Sequence, residues 1–135
     1  MTLAVELDER PDLESVEARR NMAKLVTRLF ELWELPTVDQ LNLLGLSETS
    51  RSLLSRYRKG EPLSAGRDVL DRVGWLMAIH KALRLLYPHN PNLLYSWVKR
   101  RNAAFANKSP LEVMRDDGLI GIARVARYLD SLRGR

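Results

Sequence analysis

Cysteine is absent from the 135 residues. A disulfide framework, a thiolate metal site and a cysteine nucleophile are thereby excluded, and the composition fits a reducing cytosol. Histidine occurs only at His80 and His89, too sparse for a metal site, which needs several ligands at suitable spacings. No apolar run approaches the roughly 18 residues of a membrane span. The start of the chain carries Glu6, Asp8, Glu9 and Asp12 where a secretory signal needs a basic start and an apolar run. A soluble, cytoplasmic protein with no membrane contact is expected. Strand-like alternation is missing, as are internal repeats and low-complexity segments. So are a glycine-rich phosphate loop, a Gly-x-Ser-x-Gly elbow and a His-Glu-x-x-His helix. Nothing assembles a nucleophile, a base and an oxyanion donor. No catalytic residue, cofactor or metal ligand is expected, and the reading is not an enzyme.

What is present is apolar content and segregated charge. Apolar residues make up 45%, enough for a core. The net charge of +5 divides unevenly: residues 1–44 balance at −4 and residues 45–135 at +9. A basic remainder points to an anionic partner; ordinary surface solvation is the alternative.

Helical periodicity dominates. Residues 1–12 read as a loose leader. A first helix is expected over Leu13–Glu34, with Met22, Leu25, Val26, Leu29, Phe30 and Trp33 on one stripe, ended by Pro36. Thr37 and Gln40 have capping-box spacing before a short helix over Val38–Leu44. Gly45 is placed for a left-handed cap, and Ser47 for the cap of a third helix over Glu48–Arg58, stopped at Gly60. After a loop through Pro62, a fourth helix over Gly66–Leu86 is apolar on more than half its circumference, which marks a central helix. Asn90 and Pro91 start a fifth, to about Arg101. Ser109-Pro110-Leu111-Glu112 combines a cap, a first-position proline and a third-position glutamate. A short helix to Asp116 is expected there, then loosening at Gly118 and Gly121, then a last helix through Ile122, Val125, Ala126, Leu129 and Leu132.

Three segments could carry function. Residues 38–58 have the proportions of a helix-turn-helix, although the turn between Gly45 and Leu53 is long for one. Ser50, Leu53, Leu54 and Tyr57 should face inward. Glu48, Arg51, Ser52, Ser55, Arg58 and Lys59 should face outward, where arginine can grip guanine or phosphate and serine can reach phosphates. Lys99-Arg100-Arg101, interleaved with Tyr95 and Trp97, could stack bases; the competing reading is the wet end of a packing helix whose cations favour the dipole. In the last helix Arg124, Arg127, Tyr128 and Ser131 lie off the apolar stripe, and Arg133-Gly134-Arg135 makes a cationic end able to enter an acidic pocket. Two further features have bland readings: His80 as a hydrogen-bonded packing residue, and Asp116-Asp117 as a solvated turn. Asp116-Asp117 near Arg124 is the best feature an enzyme reading has.

The chain resembles the Xre/MbcA/ParS antitoxin family. The resemblance rests on Arg72–Leu76 running into Ile79–Pro88, on Leu94–Val98 leading to Asn102, Ala103 and Phe105, and on Ser109–Met114 followed by Gly118–Gly121 and Val125–Leu132. It implies an all-α fold in which a helix-turn-helix-like N-terminal part, residues 13–88, packs on a C-terminal helical toxin-binding part, residues 89–135. It implies the antitoxin half of a type II toxin–antitoxin pair, binding and blocking a RES-domain toxin that consumes NAD and repressing its own promoter, with a homodimer expected of an operator reader. The toxin-facing candidates carried over are Ser109, Pro110 and Glu112 as scaffold, with Arg124, Arg127, Tyr128, Ser131, Arg133 and Arg135 as contact surface. The DNA-facing candidates are Arg51, Ser52, Ser55, Arg58 and Lys59. A stand-alone helix-turn-helix transcriptional regulator is the alternative.

Overall fold

Six α-helices and two short 3-10 turns, with no strand among the described residues, make up the computed structural model, which describes residues 15–134. The leader, Leu13 and Arg135 lie outside the described residues. Helix α1, Val16–Leu32, starts at Ser15, whose hydroxyl accepts from the Ala18 amide. Of its predicted stripe, Val26, Leu29, Phe30 and Trp33 are buried and Met22 is half-buried; Ala23, outside that stripe, joins them in the core. Leu25, assigned to that stripe, is exposed. The helix stops before Pro36. Glu34 takes a left-handed conformation (φ 54°), and the Leu35 amide donates to the Phe30 carbonyl, closing the end.

Helix α2, Thr37–Leu43, is capped by Pro36 with no side-chain hydrogen bond. The expected Thr37–Gln40 box does not form. Gln40 Nε2 instead donates to the Leu35 carbonyl at 2.9 Å, because burial at this position rewards satisfying the orphan carbonyl behind it. Gly45 has the expected positive φ of 73°. Helix α3 is Arg51–Arg58, three residues shorter at its start than expected. Ser47 does not cap it: its hydroxyl bonds to those of Thr49 and Ser50, holding residues 47–50 in a turn. The following loop is anchored by Leu63, fully buried, whose amide and carbonyl bond to Arg19 of α1.

Helix α4, Arg67–Leu86, is central as its composition predicts, and its most extensive packing is against α6. Helix α5, Pro91–Ser96, has the expected Asn90 cap but ends early, passing into the 3-10 turn Trp97–Lys99. A second such turn, Ala103–Phe105, sits within an isolated bridge between Asn102 and Lys108.

Helix α6, Pro110–Arg133, has the predicted start: the Glu112 amide donates to Ser109 Oγ at 3.1 Å and Ser109 Oγ donates to Glu112 Oε1 at 3.3 Å. It is kinked at Gly118, whose φ of 63° and ψ of −140° are open essentially to glycine alone. Gly121 does not loosen the chain. It is buried against the first segment of α6, and a Cβ there would meet the Val113 carbonyl oxygen and lie 2.9 Å from Asp117 Cβ. Beyond it, Ile122, Val125, Ala126 and Leu129 are all core. Helix α2 also packs directly on α6, where Arg115 pairs at 3.3 Å with Asp39, a carboxylate only 10% exposed. One hydrophobic cluster therefore runs from α1 through α6.

Candidate functional site

The α2–α3 unit presents one outward cationic face. Arg51 and Ser52 are exposed in the first turn of α3, and Ser55 is half-buried one turn on. Arg58 is exposed but spends part of its reach on Gln40, donating from Nη2 to Oε1 at 3.3 Å. Lys59 is exposed at the C-cap. Leu54 and Tyr57 are buried as expected, while Leu53 and Ser50 are half-buried. Glu48 is exposed in the turn and not on the helix. Residues 44–50 separate α2 from α3, longer than the three or four residues of a common helix-turn-helix.

The second face lies on α6. Arg124 is exposed and pairs with Asp117 at 2.9 Å. Arg127 holds its guanidinium over the Trp75 ring, 5.8 Å from the centroid. Ser131 is exposed and donates to the Tyr128 carbonyl. Arg133 pairs with Asp130 at 2.9 Å. Tyr128 behaves differently: it is half-buried, stacked on Trp97 at 6.4 Å and edge-on to Phe105 at 5.2 Å. Ser109, only 5% exposed, and Pro110 are buried, and Glu112 both donates its amide to Ser109 Oγ and accepts from it. Those three build the helix start. Position 120 adds a residue that the polar pattern could not reveal. Ile120 is 73% exposed, and the spacing 120, 124, 127, 131 puts it on the same helical face as Arg124, Arg127 and Ser131.

Most of the remaining candidates bond or pack within the chain. Trp97 and Val98 are buried, Lys99 Nζ donates to the Glu34 carbonyl at 2.7 Å, and Arg100 Nε donates to Ser96 Oγ at 3.0 Å. Lys99 thus ties the segment to the end of α1, beside an open cavity of about 550 Å³ lined in part by Tyr95, Lys99 and Arg100, while Arg101 is exposed. Asp116 pairs with Lys108 at 3.5 Å and Asp117 with Arg124. Among the described residues no group of three acidic, histidine or cysteine side chains could hold a metal ion. None of the described helices is long and apolar enough to cross a membrane.

His80 packs as expected, stacked on Tyr95 at 6.2 Å, but without the expected hydrogen bond: its Nδ1 is buried with no partner. Burial first, and the Arg84 charge second, lower its pKa below the ordinary 6.5. The unfolded chain therefore takes up this proton before the native one does. Stability is to fall as pH drops below about 6.5 towards the lowered native value, and to level off beneath it. A His80→Phe chain keeps the ring contact and loses the orphan nitrogen. Denaturant melts at pH 7.5 and 5.5 should show a smaller pH difference for it than for the parent; an equal difference would place the sensitivity elsewhere.

These features define an all-helical protein in which a helix-turn-helix-like unit is joined to a C-terminal helical module. A family model for the antitoxin Xre-like helix-turn-helix domain matches residues 12–78, and one for the antitoxin Xre/MbcA/ParS C-terminal toxin-binding domain matches residues 82–135. The uncharacterized protein y4oB of Sinorhizobium fredii (strain NBRC 101917 / NGR234) is 34% identical over 108 residues, covering 79% of this chain and 80% of the relative. The chain belongs to the Xre/MbcA/ParS antitoxin family.

Proposed function

We propose that the chain neutralises a RES-domain, NAD-consuming toxin by laying the exposed face of α6 against it, and that it represses its own promoter as a homodimer through α3. The observation that carries the first half is the stripe Ile120, Arg124, Arg127 and Ser131, on the segment matched as toxin-binding. An exposed isoleucine followed along the same face by two arginines has the makeup of an interface anchor beside a charged flank. The action is binding, with no chemistry required of this chain, and the setting is the cytoplasm.

The test is co-expression with the product of the adjacent gene. That product alone should arrest growth and deplete NAD, and this chain should restore both. A harmless neighbour, or arrest that persists in the presence of excess antitoxin, would sink the reading. Truncation at Arg124 is a poor version of this test, because it also removes Val125, Ala126 and Leu129 from the core.

For the DNA half, Arg51, Ser52, Ser55, Arg58 and Lys59 form the reader. Arg51, with no ion-pair partner among the described residues, is its best phosphate ligand. Arg51→Ala removes one phosphate contact from each protomer, so it should weaken promoter binding and lower the slope of log affinity against log salt by about 2 for the dimer. An unchanged slope would remove Arg51 from the reader. The exposure of Arg51 and Lys59 equally suits a stand-alone transcriptional regulator; promoter binding with no toxic neighbour would select that second reading.

A further inference from the structure

We propose that the outer face of α4 pairs with the same face of a second copy of this chain, antiparallel, about a two-fold axis level with residue 76. The inference rests on the homodimer reading above and names its surface. Positions 67, 71, 74, 78, 81 and 85 recur every three or four residues and are all exposed, so none of the described elements packs over that face of the helix. Leu85 is 55% exposed at one end of that face, and Met77 is half-buried along its edge. At its middle sits Gly74, where a Cβ would meet no atom within 4 Å. Glycine is the least favourable ordinary residue for a helix interior, and open space above it means that packing within the protomer does not require it. Its benefit is realised where a second backbone comes close, as at a crossing of two helices about 8–10 Å apart.

Charge chooses the orientation. In an antiparallel pair centred on residue 76, Gly74 lies level with the partner's Ala78, and Asp71 lies level with the partner's Lys81. The carboxylate and the ammonium then meet twice, once on each side of the axis, as an isologous interface demands. Lys81 has no ion-pair partner among the described residues. Asp71 holds only Arg67, at 3.7 Å on an exposed flank, a contact easily exchanged. Arg67, with its side chain 94% exposed, lies level with the partner's Leu85 and can cover it with its aliphatic stem. A parallel pair would instead set Asp71 against Asp71 and Lys81 against Lys81.

The test is a charge-reversal cycle read by sedimentation equilibrium on the full chain. The parent should be dimeric at micromolar concentration. Asp71→Lys and Lys81→Asp should each weaken the dimer about tenfold or more, since each sets like charges opposite one another twice. The double variant should recover most of the loss. All three variants change exposed side chains, so circular dichroism should stay that of the parent. A monomeric parent would overturn both the dimer reading and this face. A parent dimer indifferent to both single reversals would overturn the face alone. Weakening by each single variant without recovery in the double would overturn the antiparallel register.

Discussion

A Gly121→Ala chain is expected to lose about 3 kcal/mol of stability, the upper part of the range for overpacking a close-fitted core, and a large share of the 5–15 kcal/mol that a domain commonly has. The added methyl has nowhere to go. It would press on the Val113 carbonyl oxygen and on Asp117 Cβ, and Val113 belongs to the first segment of the same helix. A flexible side chain could swing aside, but a backbone carbonyl cannot. Relieving the clash would mean opening the Gly118 kink that brings the two segments together. Gly134→Ala is the control, since the nearest atoms to a Cβ there are 3.7 and 3.9 Å away. Urea melts of the two variants should differ by most of the predicted amount; a Gly121→Ala midpoint equal to the parent's would show that the helix segments are not locked at this contact.

The second large effect belongs to the partner surface. Ile120→Asp and Arg127→Glu should each weaken the toxin complex about 30-fold or more, the size associated with an interface anchor of about 2 kcal/mol, while leaving the isolated protein folded. Ile120 contributes little to the protomer's own core, because most of its surface is already in water. Arg127 gives up only an exposed stacking contact with Trp75, worth about 0.5–1 kcal/mol. Tyr128→Ala makes the contrast. It should lower stability by removing a ring wedged between Trp97 and Phe105, so any loss of toxin binding there would track unfolding. Calorimetric affinities set beside melting temperatures separate the two. If Ile120→Asp binds toxin as the parent does, the interface lies off this face of α6.

The sequence made most helices legible through a long apolar stripe or a side-chain cap, although the Ser15 cap of α1 was not among those read. The stripe of α1, the breadth of α4, the Asn90 and Ser109 starts and the Gly45 turn all follow from spacing and cap chemistry. What escaped was decided by competition between nearby polar groups. Ser47 had equally good partners in two neighbouring hydroxyls, so it shaped a turn and left α3 to begin at Arg51. Gln40 was drawn to a buried carbonyl rather than to the Thr37 end of its own helix. Gly121 shows a different limit: composition marks a glycine as a break or as a close contact with equal force, and only the neighbouring backbone distinguishes them. At the candidate site, the arginines of α6 were visible because they fell off the apolar stripe. Ile120 was hidden because it is apolar, and nothing in a periodic pattern tells an isoleucine that is buried from one left outside.

The contact between α2 and α6 also sets how the protein can be removed. With Arg115 fastened to Asp39 and with Val125 and Leu129 in the common core, α6, the helix proposed to face the toxin, is part of the folded body and not a detachable tail. A cellular protease that must thread an open segment is expected to reach α6 only when the core opens. The lifetime of the protein is then expected to follow global unfolding, and a bound toxin, by mass action on the folded state, is expected to lengthen it.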